Sequence, residues 1–207
     1  QAGIEEPTAL AARRRLNNLL DQIDDPDDLP GITAAGLFAP HYLATTMADN
    51  QDWPNHTARA QPLLNMRSTE LIEQLGYNLQ ALGSGALLLN TDSGSVQALA
   101  VLMDEREGFD AAADRFGSSP VQYGLARAQQ ERVPWLIVLR GAQLRLYPAR
   151  PDIGIGRRSQ TDTYFEIDLS VVNEQTSGFL TLVFSAGALG SKGAVQELLD
   201  GSARYAA

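Results

Sequence analysis

Apolar and polar positions recur along the chain with two different periods, and each change of period marks a new element. From Thr8 the residues Ala9, Ala12, Leu16, Leu19, Leu20 and Ile23 fall at helical spacing behind Pro7 and Glu5-Glu6, so the pattern predicts an amphipathic helix. It ends in Asp21-Gln-Ile-Asp-Asp-Pro-Asp-Asp-Leu-Pro30, where crowded aspartates and two prolines favour a solvated linker. The regular ligand spacing and turn glycine of a calcium loop are missing there. Gly36-Leu-Phe-Ala-Pro-His-Tyr-Leu43 opens a second helix, with Pro40 suited to its first turn. Residues 50–62 are polar and proline-containing and read as a loop. A third helix is expected from about Ser68, with Leu71, Ile72, Leu75, Leu79 and Leu82 on one face and Gly83-Ser-Gly85 as its stop.

The period then shortens. Ala86-Leu-Leu-Leu-Asn90 and Val96-Gln-Ala-Leu-Ala-Val-Leu-Met103, joined by Thr91-Asp-Ser-Gly94, predict a β-hairpin. A helix is expected over 121–132. Pro134-Trp-Leu-Ile-Val-Leu139 is an unbroken apolar run, as in a strand covered on both faces. After the turn Arg140-Gly-Ala142, Gln143-Leu-Arg-Leu-Tyr147 alternates, and Tyr164-Phe-Glu-Ile-Asp-Leu169 does the same beyond a long loop. Helices around 178–188 and 194–200 follow. The expected fold is α/β (α+β), with one mixed sheet of about five strands flanked by helices. The expected domains are an N-terminal helix and acidic linker over 1–30, a body over 31–200, and the start of a connector helix over 201–207. The first residue, Gln1, and that interrupted helix suggest a piece of a longer polypeptide.

Composition narrows the chemistry. Without cysteine there is no disulfide, thiolate nucleophile or cysteinyl zinc site, and His41 and His56 alone cannot build a histidine cage. A metal must therefore be held by carboxylates. The net charge of −9 argues against indiscriminate nucleic-acid binding, yet Arg127, Arg132, Arg140, Arg145, Arg150, Arg157 and Arg158 face only Glu131 and Asp152 in the same stretch. Arg150, Arg157 and Arg158 are the candidate contacts to DNA phosphates. Of the cations, only Lys192 is a lysine. No apolar run is long enough to span a bilayer and no signal peptide precedes the first helix, so the expectation is a cytoplasmic protein with no membrane partner. The glycine pairs Gly83-Ser-Gly85 and Gly154-Ile-Gly156 do not lie between a strand and a helix. A Gly-x-Ser-x-Gly elbow is missing too.

A helix, a hairpin, a helix and further strands resemble the layout of restriction-endonuclease-like nucleases. Such sites hold Mg²⁺ between an aspartate on one hairpin strand and a carboxylate two residues before a lysine on the next. Asp92 follows the first strand here, and Asp104-Glu-Arg106 ends the second, so the candidate catalytic residues are Asp92, Asp104, Glu105 and Arg106. Asp92, Asp104 and Glu70 are the candidate metal ligands. Arg106 stands in for the lysine but neither gives up its proton nor presents a compact ammonium.

Val133-Pro-Trp-Leu-Ile-Val-Leu-Arg-Gly-Ala-Gln-Leu-Arg-Leu-Tyr147 resembles the N-terminal nuclease-like domain of large bacterial type IIG and related restriction-modification proteins, which fuse it to an adenine-specific DNA methyltransferase. Trp135, Gly141, Arg145, Leu146 and Tyr147 match that pattern, and Leu139-Arg140 replaces the usual Thr-Asn. Gly36–Leu43, Glu70–Tyr77, Tyr164–Leu169, Phe179–Leu189 and the terminal Ser202-Ala-Arg-Tyr-Ala206 are similar in the same order. Where active members carry Glu-x-Lys, this chain has Val101-Leu-Met103. The resemblance implies bacterial phage defence, with double-stranded DNA and a C-terminal methyltransferase region as partners. S-adenosylmethionine would be used only by that region. Two functions follow: a Mg²⁺-dependent nuclease domain with a degenerate site, or a non-catalytic DNA-positioning module. A DNA-mimicking acidic module is a third, supported by charge alone.

Overall fold

Residues alternating by twos build one sheet, and residues recurring by threes and fours build helices on its two faces. The structure, a computed structural model, describes residues 29–155 and 158–205. The helix expected from Thr8 and nearly all of the acidic linker lie outside them. The elements in chain order are β1 (Ile32–Ala35), α1 (Pro40–Asp49), α2 (Trp53–Ala60), α3 (Ser68–Gln74), β2 (Asn78–Gly83), β3 (Ala86–Asn90) and β4 (Val96–Met103). They continue with α4 (Pro120–Gln130), β5 (Trp135–Arg140), β6 (Gln143–Pro148), β7 (Tyr164–Asp168), α5 (Phe179–Phe184) and α6 (Ala194–Tyr205). The fold is mixed α/β, with a seven-stranded sheet in the order β1-β7-β6-β5-β4-β3-β2. Every neighbouring pair is antiparallel except β4 and β5, which run parallel and are linked through α4.

The centre of the sheet is its driest part. On one face Ala98, Ala100, Trp135, Ile137, Leu139, Leu144, Leu146, Phe165 and Ile167 pack against residues of α1, α2, α3, α5 and α6. The opposite face buries Leu99, Val101, Met103, Leu136 and Val138 under Val121, Leu125 and Ala128 of α4. Each fully buried side chain of this size contributes about 1.5–3 kcal/mol. A β-carbon on Gly124 of α4 would lie 2.7 Å from a Leu136 methyl, so the glycine lets the helix settle onto β5. The two-residue β5–β6 turn needs a left-handed residue, which Gly141 supplies at φ 56°.

The structure departs from the sequence reading in four places. The sheet has seven strands rather than five, and the two additions, β1 and β2, are its edges. Half-exposed edge strands carry no continuous apolar run to betray them. The third helix stops at Gln74, because Gly76 takes φ 97°, and the chain continues as β2. Leu79 and Leu82, read as one helical face, instead pack against opposite sides of the sheet. The polar span after Asn50 holds α2, with Pro54 at its start and Trp53 pinned to Phe179 at 4.8 Å between ring centres. Finally, α6 runs unbroken through Gly201 and Ser202. Both are buried, and the Ala39 N–H donates to the Ser202 hydroxyl at 3.0 Å, so this turn packs on the body, whereas residues 203–205 are exposed. Among the described residues no helix is long and apolar enough to cross a membrane.

Candidate functional site

A shared metal would require carboxylates from β3 and β4 to meet. Antiparallel register sets Asn90 against Val96 and Ala86 against Val101, so the end of β3 and the end of β4 lie at opposite ends of the hairpin. Asp92 and Asp104 are therefore separated by roughly 23 Å of strand. The shared Mg²⁺ site expected at Asp92 and Asp104 needs the two carboxylates together, and the register keeps them apart. Asp92 accepts a hydrogen bond from the Asn78 amide at 2.9 Å. At the other end Asp104 faces the start of β3, where Gly85 accepts from the Leu102 N–H at 2.9 Å and no carboxylate stands. Val101 and Met103 are buried in the core under α4.

Asp104 and Glu105 do come together with Arg67, Ser68 and Gly141 around a small groove of about 210 Å³. The Arg67 guanidinium is already engaged there, donating to the Leu64 and Met66 carbonyls at 2.6 and 2.7 Å. Glu70 is exposed in the first turn of α3, and Arg106 is exposed on the loop after β4. Among the described residues no three His, Asp or Glu side chains are placed to hold a metal ion together. The donor set does not fit the two-strand Mg²⁺ site.

What this end of the sheet does contain is a network that holds down the loop after β4. Glu107 accepts the Asp104 N–H at 2.9 Å and pairs with Arg115, whose Nε donates to it at 2.7 Å. The hydrogen bond from Arg115 holds the Glu107 carboxyl below its ordinary pKa, against the opposing effect of burial. Arg140 lies 4.4 Å from the centre of the Phe109 ring and donates to the Glu107 carbonyl at 3.1 Å. Arg145 sits between Phe109 and Tyr164, at 3.8 and 4.3 Å from their ring centres. It also pairs with Glu166 on β7 and donates to the Tyr147 hydroxyl at 3.2 Å. Burial works against the Arg145 charge, but Tyr147 and Glu166 outweigh it and raise its pKa. Burial pushes the Tyr147 hydroxyl up. The Arg-Leu-Tyr run therefore has a structural use: arginine and tyrosine share one face of β6, and leucine takes the other.

The candidate phosphate contacts are at the opposite end. Ala149 N–H donates to the Pro134 carbonyl at 2.8 Å, which carries the β5–β6 pairing one step past the strands. Arg132, in the turn between α4 and β5, and Arg150, two residues past β6, both border a groove of about 620 Å³ there. Neither guanidinium has a hydrogen bond or ion pair among the described residues. Arg158 reaches the far side of the same loop, with its Cδ 2.8 Å from where a Gly36 side chain would begin. Arg157 lies outside the described residues. Sequence reasoning missed Arg132 and Gln97 as groove residues, although Arg132, the last residue of the expected helix, had the signal of an arginine at a strand's threshold. Compared with known proteins, the chain matches no family model, no curated protein and no solved structure.

Proposed function

We propose that this chain is a restriction-endonuclease-like domain of a DNA restriction-modification protein that does not itself hydrolyse DNA, and that it positions DNA for an attached adenine-specific methyltransferase. One observation carries the reading. The run α3, β2, β3, β4, α4, β5 follows the helix, hairpin, helix and strand order of such nucleases, while Val101 and Met103, where a carboxylate and a lysine would act, are core residues. Arg150 and Arg158 then supply phosphate contacts that position the duplex without reading its sequence. Mg²⁺ would serve a nuclease member at the β4 end, and S-adenosylmethionine would serve the methyltransferase region.

The test uses the full polypeptide that carries this domain. Incubated with plasmid DNA and Mg²⁺ or Mn²⁺, wild type and Asp104→Ala are expected to behave identically, while Arg150→Glu with Arg158→Glu weakens duplex binding and makes its loss with salt shallower. Metal-dependent cleavage abolished by Asp104→Ala would overturn the reading. Unchanged duplex binding in the double arginine variant would remove its DNA-positioning half.

A further inference from the structure

The groove beneath Arg132 and Arg150 sets a cationic rim over residues of the core. Its cationic rim is formed by the two arginines, from the turn before β5 and the loop after β6, with no partner among the described residues. Its floor is apolar, with Trp135, Leu189 and Val195 among the lining residues. Gln97, at the start of β4, lines the same groove, and its side-chain carbonyl is buried with no hydrogen-bond donor among the described residues. A buried acceptor left unpaired costs about 1–3 kcal/mol, and a turn of the Gln97 amide toward the groove would let a ligand N–H satisfy it. The first turn of α6 offers the groove little, because the Val195 and Gln196 N–H groups already donate to the Ala188 and Gly193 carbonyls at 3.2 and 3.0 Å. Anion recognition falls to the guanidiniums, which present fixed forks suited to phosphate oxygens.

We propose that this groove binds a nucleotide unit, with its phosphate on Arg132 and Arg150, its ring against the apolar floor, and an amino-bearing base donating to the Gln97 carbonyl. The unit comes either from a free nucleotide or from an unpaired DNA strand. The site shares Arg150 with the DNA-positioning reading but does not depend on it, since a free nucleotide needs no duplex. It also lies at the end of the parallel pair opposite to the positions where a nuclease would act.

The experiment titrates the full polypeptide with AMP, UMP, inorganic phosphate, a single-stranded oligodeoxyadenylate and a blunt duplex, reading heat of binding and fluorescence anisotropy. AMP or the oligonucleotide is expected to bind more tightly than UMP and phosphate. Arg132→Glu with Arg150→Glu is expected to weaken that binding about tenfold or more. Gln97→Leu is expected to narrow the preference for AMP over UMP while thermal stability holds or rises, because the unpaired carbonyl is gone. A merely structural Gln97 would instead lower stability and leave the preference intact. AMP alone binding assigns the site to a free nucleotide, and the oligonucleotide alone binding assigns it to an unpaired strand. Failure of both, or binding indifferent to both arginines, overturns the proposal. Arginine-dependent duplex binding without AMP or single-strand binding defeats this inference and leaves the DNA-positioning reading standing. The reverse pattern defeats that reading and leaves the groove.

Discussion

The two ends of the parallel β4–β5 pair use arginine in opposite ways. At the C-terminal end Arg67, Arg115, Arg140 and the nearby Arg145 are engaged, bonded to carbonyls and carboxylates or laid over aromatic rings, and Arg106 alone stands exposed without a partner among the described residues. At the N-terminal end Arg132 and Arg150 have no hydrogen bond or ion pair among the described residues. The first set secures a loop that must cross an otherwise open stretch of sheet, where only α4 covers the neighbouring strands. The second set is left over by the fold, on a chain whose other charges make it acidic. Residue type therefore does not mark a binding end. The decisive feature is whether the chain itself satisfies the charge.

That contrast breaks first at Arg145. Replacing it with methionine leaves Glu166 half-buried without its partner and strips the cation from two rings, so unfolding stability is expected to fall by about 2–4 kcal/mol in denaturant titration. Arg132→Met, at the other end, is expected to stay within about 0.5 kcal/mol of wild type. Similar losses in both variants would erase the distinction. A smaller effect sharpens it at Glu107. Glu107→Gln is expected to cost about 0.5–1 kcal/mol at neutral pH, an amount discounted for solvent screening of a surface pair. The folded carboxyl titrates below its unfolded value, so its contribution is complete above the ordinary carboxylate range and disappears as pH falls through the folded pKa. Wild type and Glu107→Gln melting temperatures should therefore converge in acid. A gap that persists there would show that the Arg115 pair is not its source.

How much of this was legible in the sequence follows from burial. Strands β3 through β7 were readable because their cores are apolar runs or strict alternations: Leu136, Ile137 and Val138 are buried on both faces, and Leu144 and Leu146 on one. The edges were not. Leu79 and Leu82 are three residues apart, a spacing that a helix and two faces of a strand produce equally well, and only the turn at Gly76 separates the cases. Helix α2 was hidden because its few packing residues, such as Trp53 and Ala60, are set among polar ones. The basic stretch from Arg127 onward was visible as composition, but which of its arginines are engaged depends on register and on a loop two strands away. Asp92 and Asp104 show the same limit: both follow hairpin strands, and antiparallel pairing sends them to opposite ends.

The smallest effect is expected where the sequence placed the chemistry. Asp104 and Glu105 are exposed, and no described side chain forms an ion pair with either. If the groove beside Arg67 is only the solvated exit of β4, Asp104→Asn with Glu105→Gln changes stability by no more than about 0.5 kcal/mol. The double variant should also leave untouched any rise in melting temperature on adding Mg²⁺. A bound ion stabilises the folded state in proportion to its affinity, so a carboxylate pair that held Mg²⁺ would lose that rise on conversion to amides. Equal Mg²⁺ titrations for wild type and variant exclude Asp104 and Glu105 as its ligands. A wild-type shift missing from the variant would restore the metal to the β4 end and reverse the assignment of the two ends.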